Sequence, residues 1–334
     1  MAARWKDENG IQVLSDIHLE MPMVLSRIDE LLVRGTFDAL KLKPERRISC
    51  LARTIVLLGD VVTVARIERL QELVEYLYQM GFRRVVYIPG NHEYYTKAAA
   101  SPDGVDELLR AHCLRISEHI NAQAASAPGE EKEKIEVIFL NKGALELSDE
   151  RRLLGCTLWT HVPEQSSQRV EGCIGDYRSI YESLDPLRLA TASSTNAWHA
   201  EHRAWIRQEI GRAKEDGKQL LVCTHHKPTL KWPARQHLSA ALGERATQKG
   251  NDVAWAFQSD CDDLMDATVV KAWFYAHDHA TIPHFDPSSG LPIFVVNGVP
   301  LFSNQLGYIT KSEATQLLPG GLNEGFDGSF LWKE

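Results

Sequence analysis

The chain has 334 residues, 44% of them hydrophobic and 25% charged, and carries a formal net charge of −8 with a sequence pI near 5.9. This composition excludes a disordered or collagen-like chain, supplies a core that needs no disulfides, and weighs against a nucleic acid partner, which usually meets a basic surface. Six cysteines (Cys50, Cys113, Cys156, Cys173, Cys223 and Cys261) form no CxxC pair and are expected to be reduced. Residues 1–10 contain no apolar signal core and no run approaches membrane-spanning length, so the expectation is a soluble cytoplasmic protein.

Ile11 to Ser15 reads as a first short strand, followed by Asp16-Ile17-His18. In a continuing strand Asp16 and His18 point to one side, because side chains alternate with period two. Val24 to Val33 keeps a helical period, and Lys41 to Arg47, broken by Pro44, reads as a solvated loop. Thr54 to Leu58 is an unbroken apolar run rich in β-branched residues, ending at Gly59-Asp60. It predicts a buried strand whose C-terminal end carries a carboxylate, where open α/β sheets bind ligands. Ile67 to Met80 is a helix by the spacing of Ile67, Leu70, Leu73, Val74 and Leu77, with Gly81 as its C-terminal stop. Val85 to Ile88 is the next strand and runs into Pro89-Gly90-Asn91-His92-Glu93.

A helix is predicted over Val105 to Ile120, an exposed loop over 121–134, and strands over Ile135 to Leu140 and Arg152 to Trp159. Residues 160–198 read as polar and irregular, with Asp176-Tyr177 in their middle. His199 to Ile210 is a helix with Trp205, Ile206 and Ile210 on one side, and His199 and His202 read as exposed or packing residues rather than ligands. Leu220 to Thr224 is a strand ending in His225-His226-Lys227-Pro228. The segment 229–260, with Trp232, Pro233, Trp255 and Phe257, is either a wall of a substrate site or ordinary packing. Val269 to Ala276 ends in His277-Asp278-His279, and Ile293 to Val296 is a late strand.

Strand-like runs thus end, in order, in Asp16/His18, Asp60, Asn91/His92, His225/His226 and His277/His279. Chance would scatter these residue types over helices and loops as well. A donor set of Asp, Asn and His without cysteine suits Mn, Fe or Zn, and it exceeds the four ligands of a structural zinc site.

The succession Asp16-Ile17-His18, Gly59-Asp60, Gly90-Asn91-His92-Glu93, His225-His226 and His277-Asp278-His279 resembles the calcineurin-like metallophosphoesterase superfamily. The resemblance implies a four-layer αββα sandwich of two mixed β-sheets flanked by helices, with the metal site at the strand C-terminal ends. It implies one domain over 1–334 with loop insertions near 121–134, 160–198 and 229–260. It also implies a phosphoester hydrolase using two metal ions and a metal-bound hydroxide on a phosphorylated monoester or diester. One ion would take Asp16, His18, Asp60 and His279. The other would take Asp60, Asn91, His225 and His277, so that Asp60 bridges. Of the adjacent histidines His225 is assigned as ligand, with His226 as runner-up or substrate contact. His92 would face the phosphate as general acid, Asn91 would also contact it, and Glu93 would orient a neighbour. Looser likeness to one branch includes Asp176-Tyr177 and Asn304 to Tyr308, where Gln305 and Leu306 depart from its usual residues. A further departure is Ala276, where the family has glycine. If that turn needs positive φ the last two ligands are displaced, but a methyl is small and the turn is expected to tolerate it, with an inactive scaffold as the alternative.

Overall fold

The computed structural model describes residues 10–20, 48–99, 101–126, 133–234, 252–307, 327 and 330–333. The helix expected at Val24 to Val33 and the loop expected at Lys41 to Arg47 lie outside the described residues. Two sheets dominate. The first holds β1 (Ile11–Leu14), β2 (Thr54–Leu58), β3 (Arg84–Ile88) and β4 (Glu136–Phe139), all parallel, with β13 (Leu331–Trp332) antiparallel on the β1 edge. The second has the order β11-β12-β10-β9-β6-β5 and comprises β5 (Gly143–Glu146), β6 (Arg151–Cys156), β9 (Gln219–Thr224), β10 (Val270–Tyr275), β11 (Val295–Val296) and β12 (Val299–Ser303). Its inner strands β6, β9, β10 and β12 are parallel, and its two edges are antiparallel.

Period-two alternation assigns each apolar side chain to a layer. Val56, Leu58, Val86 and Ile88 of the first sheet meet Leu153, Leu221, Cys223, Ala272 and Phe274 of the second in one buried cluster. Their neighbours Ile55, Leu57, Val85 and Tyr87 face outward onto helices α1 (Glu68–Met80) and α2 (Pro102–Ser126). On the far side, Leu220, Val222, Trp273 and Tyr275 pack under Ile206, Ile210 and Ala213 of α5 (Ala192–Asp216). Strands buried on both faces carry continuous apolar runs, which is why β2, β3, β9 and β10 are visible in the sequence. The arrangement is the expected four-layer αββα sandwich.

Several expectations change. Helix α2 continues to Ser126, so 121–126 are helical rather than loop. Residues 160–198 are not irregular: they hold α3 (Glu164–Cys173), α4 (Asp176–Ser179) and a hairpin of β7 (Tyr181–Leu184) and β8 (Leu187–Leu189). Helix α5 is also longer than predicted. It starts at a reciprocal Thr191–Ser194 capping box and stops at Gly217, whose φ is 68°. Its polar first turns hide it from an apolar-period reading. Strands β5 and β12 were not anticipated. Among the described residues, no helix is long and apolar enough to cross a membrane, and all six cysteines are free thiols.

Candidate metal centre

Because β1, β2, β3, β9 and β10 run parallel within their sheets, their C-terminal ends open on a common edge of the sandwich. The two sheets approach there at Gly59 and Gly90. A Cβ on Gly59 would sit 2.4 Å from His225 Nδ1, and one on Gly90 would sit 2.2 Å from Asp60 Oδ1. Only glycine permits this contact, and at Gly59 a φ of 81° requires it as well. The strand conformation does not continue into the site: Asp16, His18, Asp60, His277 and His279 all have φ between 49° and 72°. Asp16 and His18 therefore converge through left-handed turns, not through the period of a strand. Such backbone costs of order 1 kcal/mol per residue and persists where surrounding bonds hold it. Here Asp16 N donates to Gly59 O at 3.1 Å and His18 N to Asp60 O at 2.9 Å.

Among the described residues the potential donors fall into three close groups: Asp16, His18 and His279; Asp60, His225 and His277; and His18, Glu20 and His92, which shares His18 with the first. In the first, His18 Nε2 lies 3.3 Å from His279 Nε2, and Asp16 Oδ1 lies 3.3 Å from the same His279 nitrogen. In the second, His225 Nε2 lies 3.1 Å from Asn91 Oδ1, 3.2 Å from His277 Nδ1 and 3.4 Å from Asp60 Oδ1. The other Asp60 oxygen stands 3.9 Å from His18 Nε2, so its carboxylate faces both of these groups. Donors held about 2.1 Å from one ion sit roughly 3 to 3.4 Å from each other, so these separations fit metal coordination. Asp16 Oδ1 is buried and accepts no hydrogen bond.

The imidazoles are held from behind. His225 Nδ1 lies 2.9 Å from Leu58 O, and His277 Nε2 lies 3.3 Å from Ala256 O. Each back nitrogen therefore donates, which leaves the inward nitrogen with a free lone pair. His226 instead turns its Nδ1 to Thr157 O at 3.0 Å and sets its ring 4.2 Å from that of His277. Burial, then the neighbouring His225, hold the His226 pKa down at about 3. Burial also opposes charge on His225, but the Asp60 carboxylate outweighs it and raises that pKa to about 9. The site's own negative charge thus recruits protons, as it would recruit a cation that displaces them.

His92 is one-tenth exposed, its backbone N donates to Asp60 Oδ1 at 2.9 Å, and its Nε2 stands 3.8 Å from Asp60 Oδ2. Burial opposes its charge, while Asp60 and Glu20 raise its pKa to about 10. Glu93 is fully buried and accepts from the N–H groups of Asp60 (3.0 Å), Val61 (2.9 Å) and Gly90 (2.8 Å) and from the Tyr87 hydroxyl (2.7 Å). Both its oxygens are occupied by the two strand-end loops, which gives it an orienting place. Burial and the Asp60 charge push its pKa to about 7.

The last motif accommodates Ala276, as expected. Ala276 is fully buried and is not among the residues of positive φ; the left-handed turns fall on His277 and His279 themselves. Gln305, also a departure, secures this loop: His279 N donates to its Oε1 at 2.7 Å, and its Nε2 donates to Asp278 Oδ1 at 2.7 Å. Ala276→Gly is accordingly expected to leave kcat unchanged and to lower stability by about 0.4–1 kcal/mol through added unfolded-state freedom. Urea denaturation and steady-state kinetics check it, and a rise in kcat would show that the alanine strains the turn after all.

Residues missed or undervalued in the sequence complete the site. Glu20 Oε1 sits 3.1 Å from His18 Nδ1 and 3.0 Å from His92 Nδ1. Its only sequence signal is the continued period Asp16-x-His18-x-Glu20. Asp176, read as part of an irregular stretch, accepts from Asn91 Nδ2 at 2.8 Å. His199 and His202 are the packing residues the sequence allowed, and they are buried: His202 Nδ1 accepts from Leu158 N at 3.1 Å, and His199 Nδ1 bonds Leu158 O at 3.1 Å. They clamp the left-handed pair Leu158 and Trp159, whose φ values are 70° and 53°. Phe257 of the 229–260 segment stacks on His277 with centroids 5.0 Å apart; residues 235–251 lie outside the described residues.

Parallel strand ends carrying clustered carboxylates and imidazoles give the chain a candidate metal site on one edge of an α/β sandwich. A family model described as calcineurin-like phosphoesterase matches residues 11–281, and the chain belongs to that family of phosphoester hydrolases. Over 237 residues it is 27% identical to the uncharacterized protein L509 of Acanthamoeba polyphaga mimivirus, covering 68% of this chain and 69% of that one. Among solved structures it is similar to a dimetal phosphatase from Danio rerio at 12% identity and a TM-score of 0.41, over 89% of this chain and 87% of the other.

Proposed function

We propose that the protein hydrolyses a phosphomonoester or phosphodiester at a two-metal centre bridged by Asp60. The observation that supports this most directly is the pair of donor groups on either side of the Asp60 carboxylate. We assign Asp16, His18, Asp60 and His279 to one ion and Asp60, Asn91, His225 and His277 to the other. The chemistry two ions held by these residues would supply is a nucleophilic water near neutral pH and polarisation of the phosphoryl oxygens. Both sheets furnish donors, which supports reading the chain as one domain.

The protein's own groups do the rest. His92 keeps its Nδ1 hydrogen on Glu20 and directs Nε2 toward Asp60. Because Nδ1 gives its hydrogen to Glu20, Nε2 is the nitrogen that would carry a proton to the leaving alkoxide. His226 is buried neutral with its Nδ1 hydrogen on Thr157 O, so its Nε2 carries a lone pair and accepts; we assign it, with the Asn91 side chain, to the substrate side of the site, where it would meet a protonated substrate group. Since Ala276 carries no left-handed strain, nothing in the loop favours an inactive scaffold.

The deciding assay is hydrolysis of p-nitrophenyl phosphate and its bis-ester with Mn2+ and after chelation. Chelator-sensitive turnover supports the reading, and no turnover of any phosphoester with metal restored would overturn it. His92→Ala is expected to lower kcat by about 10^2–10^4-fold on an alkyl phosphate. The loss should be much smaller on p-nitrophenyl phosphate, whose leaving group needs no proton. Equal losses on both would remove the general-acid role. Chelation should also destabilise the fold. An ion present at 100 times its Kd contributes about 2.7 kcal/mol, so Tm should fall by roughly 5 °C and recover with Mn2+. An unchanged melting curve would contradict binding at this centre.

A further inference from the structure

Two carboxylates outside the assigned ligand set reach the site from opposite sides. Glu20 sits after the first strand-end loop, with a side chain about one-tenth exposed. Its single oxygen Oε1 meets both His18 Nδ1 at 3.1 Å and His92 Nδ1 at 3.0 Å. Each ring then carries its hydrogen on Nδ1 and presents Nε2 inward. Asp176 stands on α4, a segment brought in by an isolated bridge between Tyr95 and Ile180. Its Oδ1 accepts from Asn91 Nδ2 at 2.8 Å and from the Tyr95 hydroxyl at 2.5 Å. With its amide nitrogen so engaged, Asn91 must direct Oδ1 to the other side, where it lies 3.1 Å from His225 Nε2. The Tyr95 ring in turn stacks on His92, with centroids 4.4 Å apart and 25° between planes.

The carboxylates thus touch different donor groups and share one target. Glu20 holds the edge of the His92 ring, and Asp176 holds its face through Tyr95. We propose that Glu20 and Asp176 are positioning residues that divide the site: Glu20 sets the affinity of the Asp16/His18/His279 ion, Asp176 sets that of the Asn91/His225/His277 ion, and both fix His92 for proton delivery. This deepens the two-metal reading and rests on it. Filling of either ion position is thereby tied to the posture of the same acid. Groups that orient a metal ligand from behind typically change affinity by about 10–100-fold when removed.

The test is Mn2+ titration by calorimetry of the full chain after chelation, for wild type and the variants Glu20→Ala, Glu20→Gln, Asp176→Ala and Asp176→Asn. Anomalous-scattering maps at limiting Mn2+ show which position empties. Glu20→Ala should weaken one ion by about 10–100-fold and leave the other within about threefold, and Asp176→Ala should do the reverse. Glu20→Gln and Asp176→Asn each keep an acceptor oxygen and similar volume, so they should recover part of the affinity, and they decide the matter if an alanine variant does not fold. Both families should lower kcat more than they raise KM. Wild-type affinity at both positions in the variants, or equal weakening of both ions by each, would overturn the division of roles while leaving the two-metal centre intact. A wild-type chain that takes up no Mn2+ would overturn the centre itself.

Discussion

Asp60→Ala is expected to abolish phosphoester turnover, with kcat falling more than about 1,000-fold, and to leave the protein unable to retain either metal ion. The carboxylate stands between the donor groups, 3.4 Å from His225 Nε2 on one side and 3.9 Å from His18 Nε2 on the other. Residues that only orient a ligand cost about 10–100-fold in affinity or activity when removed. Loss of a ligand shared by both ions compounds across the two positions. Asp60 is also fully buried, and its own charge is what raises His225 to about 9 and His92 to about 10 against burial. Asp60→Asn retains an oxygen for the His92 backbone N–H and should keep the loop in place while losing most activity. Elemental analysis of the purified variants and kinetics on p-nitrophenyl phosphate measure both effects. Wild-type kcat in Asp60→Ala would contradict the assignment of the centre.

The largest stability effect is expected at Glu93, not at a ligand. Its carboxylate accepts from Asp60 N, Val61 N, Gly90 N and the Tyr87 hydroxyl in a region closed to water. Alanine leaves those donors without partners, at about 1–3 kcal/mol for each that finds no water. Glu93→Ala should therefore lose roughly 3–5 kcal/mol of unfolding free energy. It should also loosen the Gly59-Asp60 turn that aims the Asp60 carboxylate. Glu93→Gln keeps one accepting oxygen but turns an amide donor toward backbone donors, so an intermediate loss is expected. Urea denaturation followed by fluorescence measures it, and an unchanged midpoint with unchanged slope would mean the network carries little net stability.

Strand-end motifs were readable because chemistry and fold impose the same spacing. Each buried parallel strand must be apolar throughout, so the first polar residue after it stands out and marks the ligand-bearing edge. Asp60, Asn91, His225 and His277 stand out this way as candidates, and Gly59 and Gly90 mark where the backbones touch. The supporting residues obey no such rule. Glu20 and Asp176 are single carboxylates in polar stretches, and the faint signals they carry, a continued period at Glu20 and a branch likeness at Asp176, say nothing of which donors they hold. His199 and His202 look like surface residues on a polar helix face. They are buried because hydrogen bonds to Leu158 and Trp159 satisfy them, a contact between segments about 40 residues apart. Ala276 is tolerated for a reason the family pattern does not give: the left-handed backbone sits one residue later, on His277.

From residue order alone come the layered α/β architecture, the family and the donor types, because hydrophobic period and donor chemistry are written locally. Tertiary structure decided which nitrogen of each histidine faces inward, which of His225 and His226 approaches Asp60, and which carboxylates hold the donors from behind. Those outcomes depend on hydrogen-bond partners supplied by distant segments, such as Leu58 O for His225 and Thr157 O for His226. A linear pattern carries the identity of a donor but not the direction in which its lone pair points.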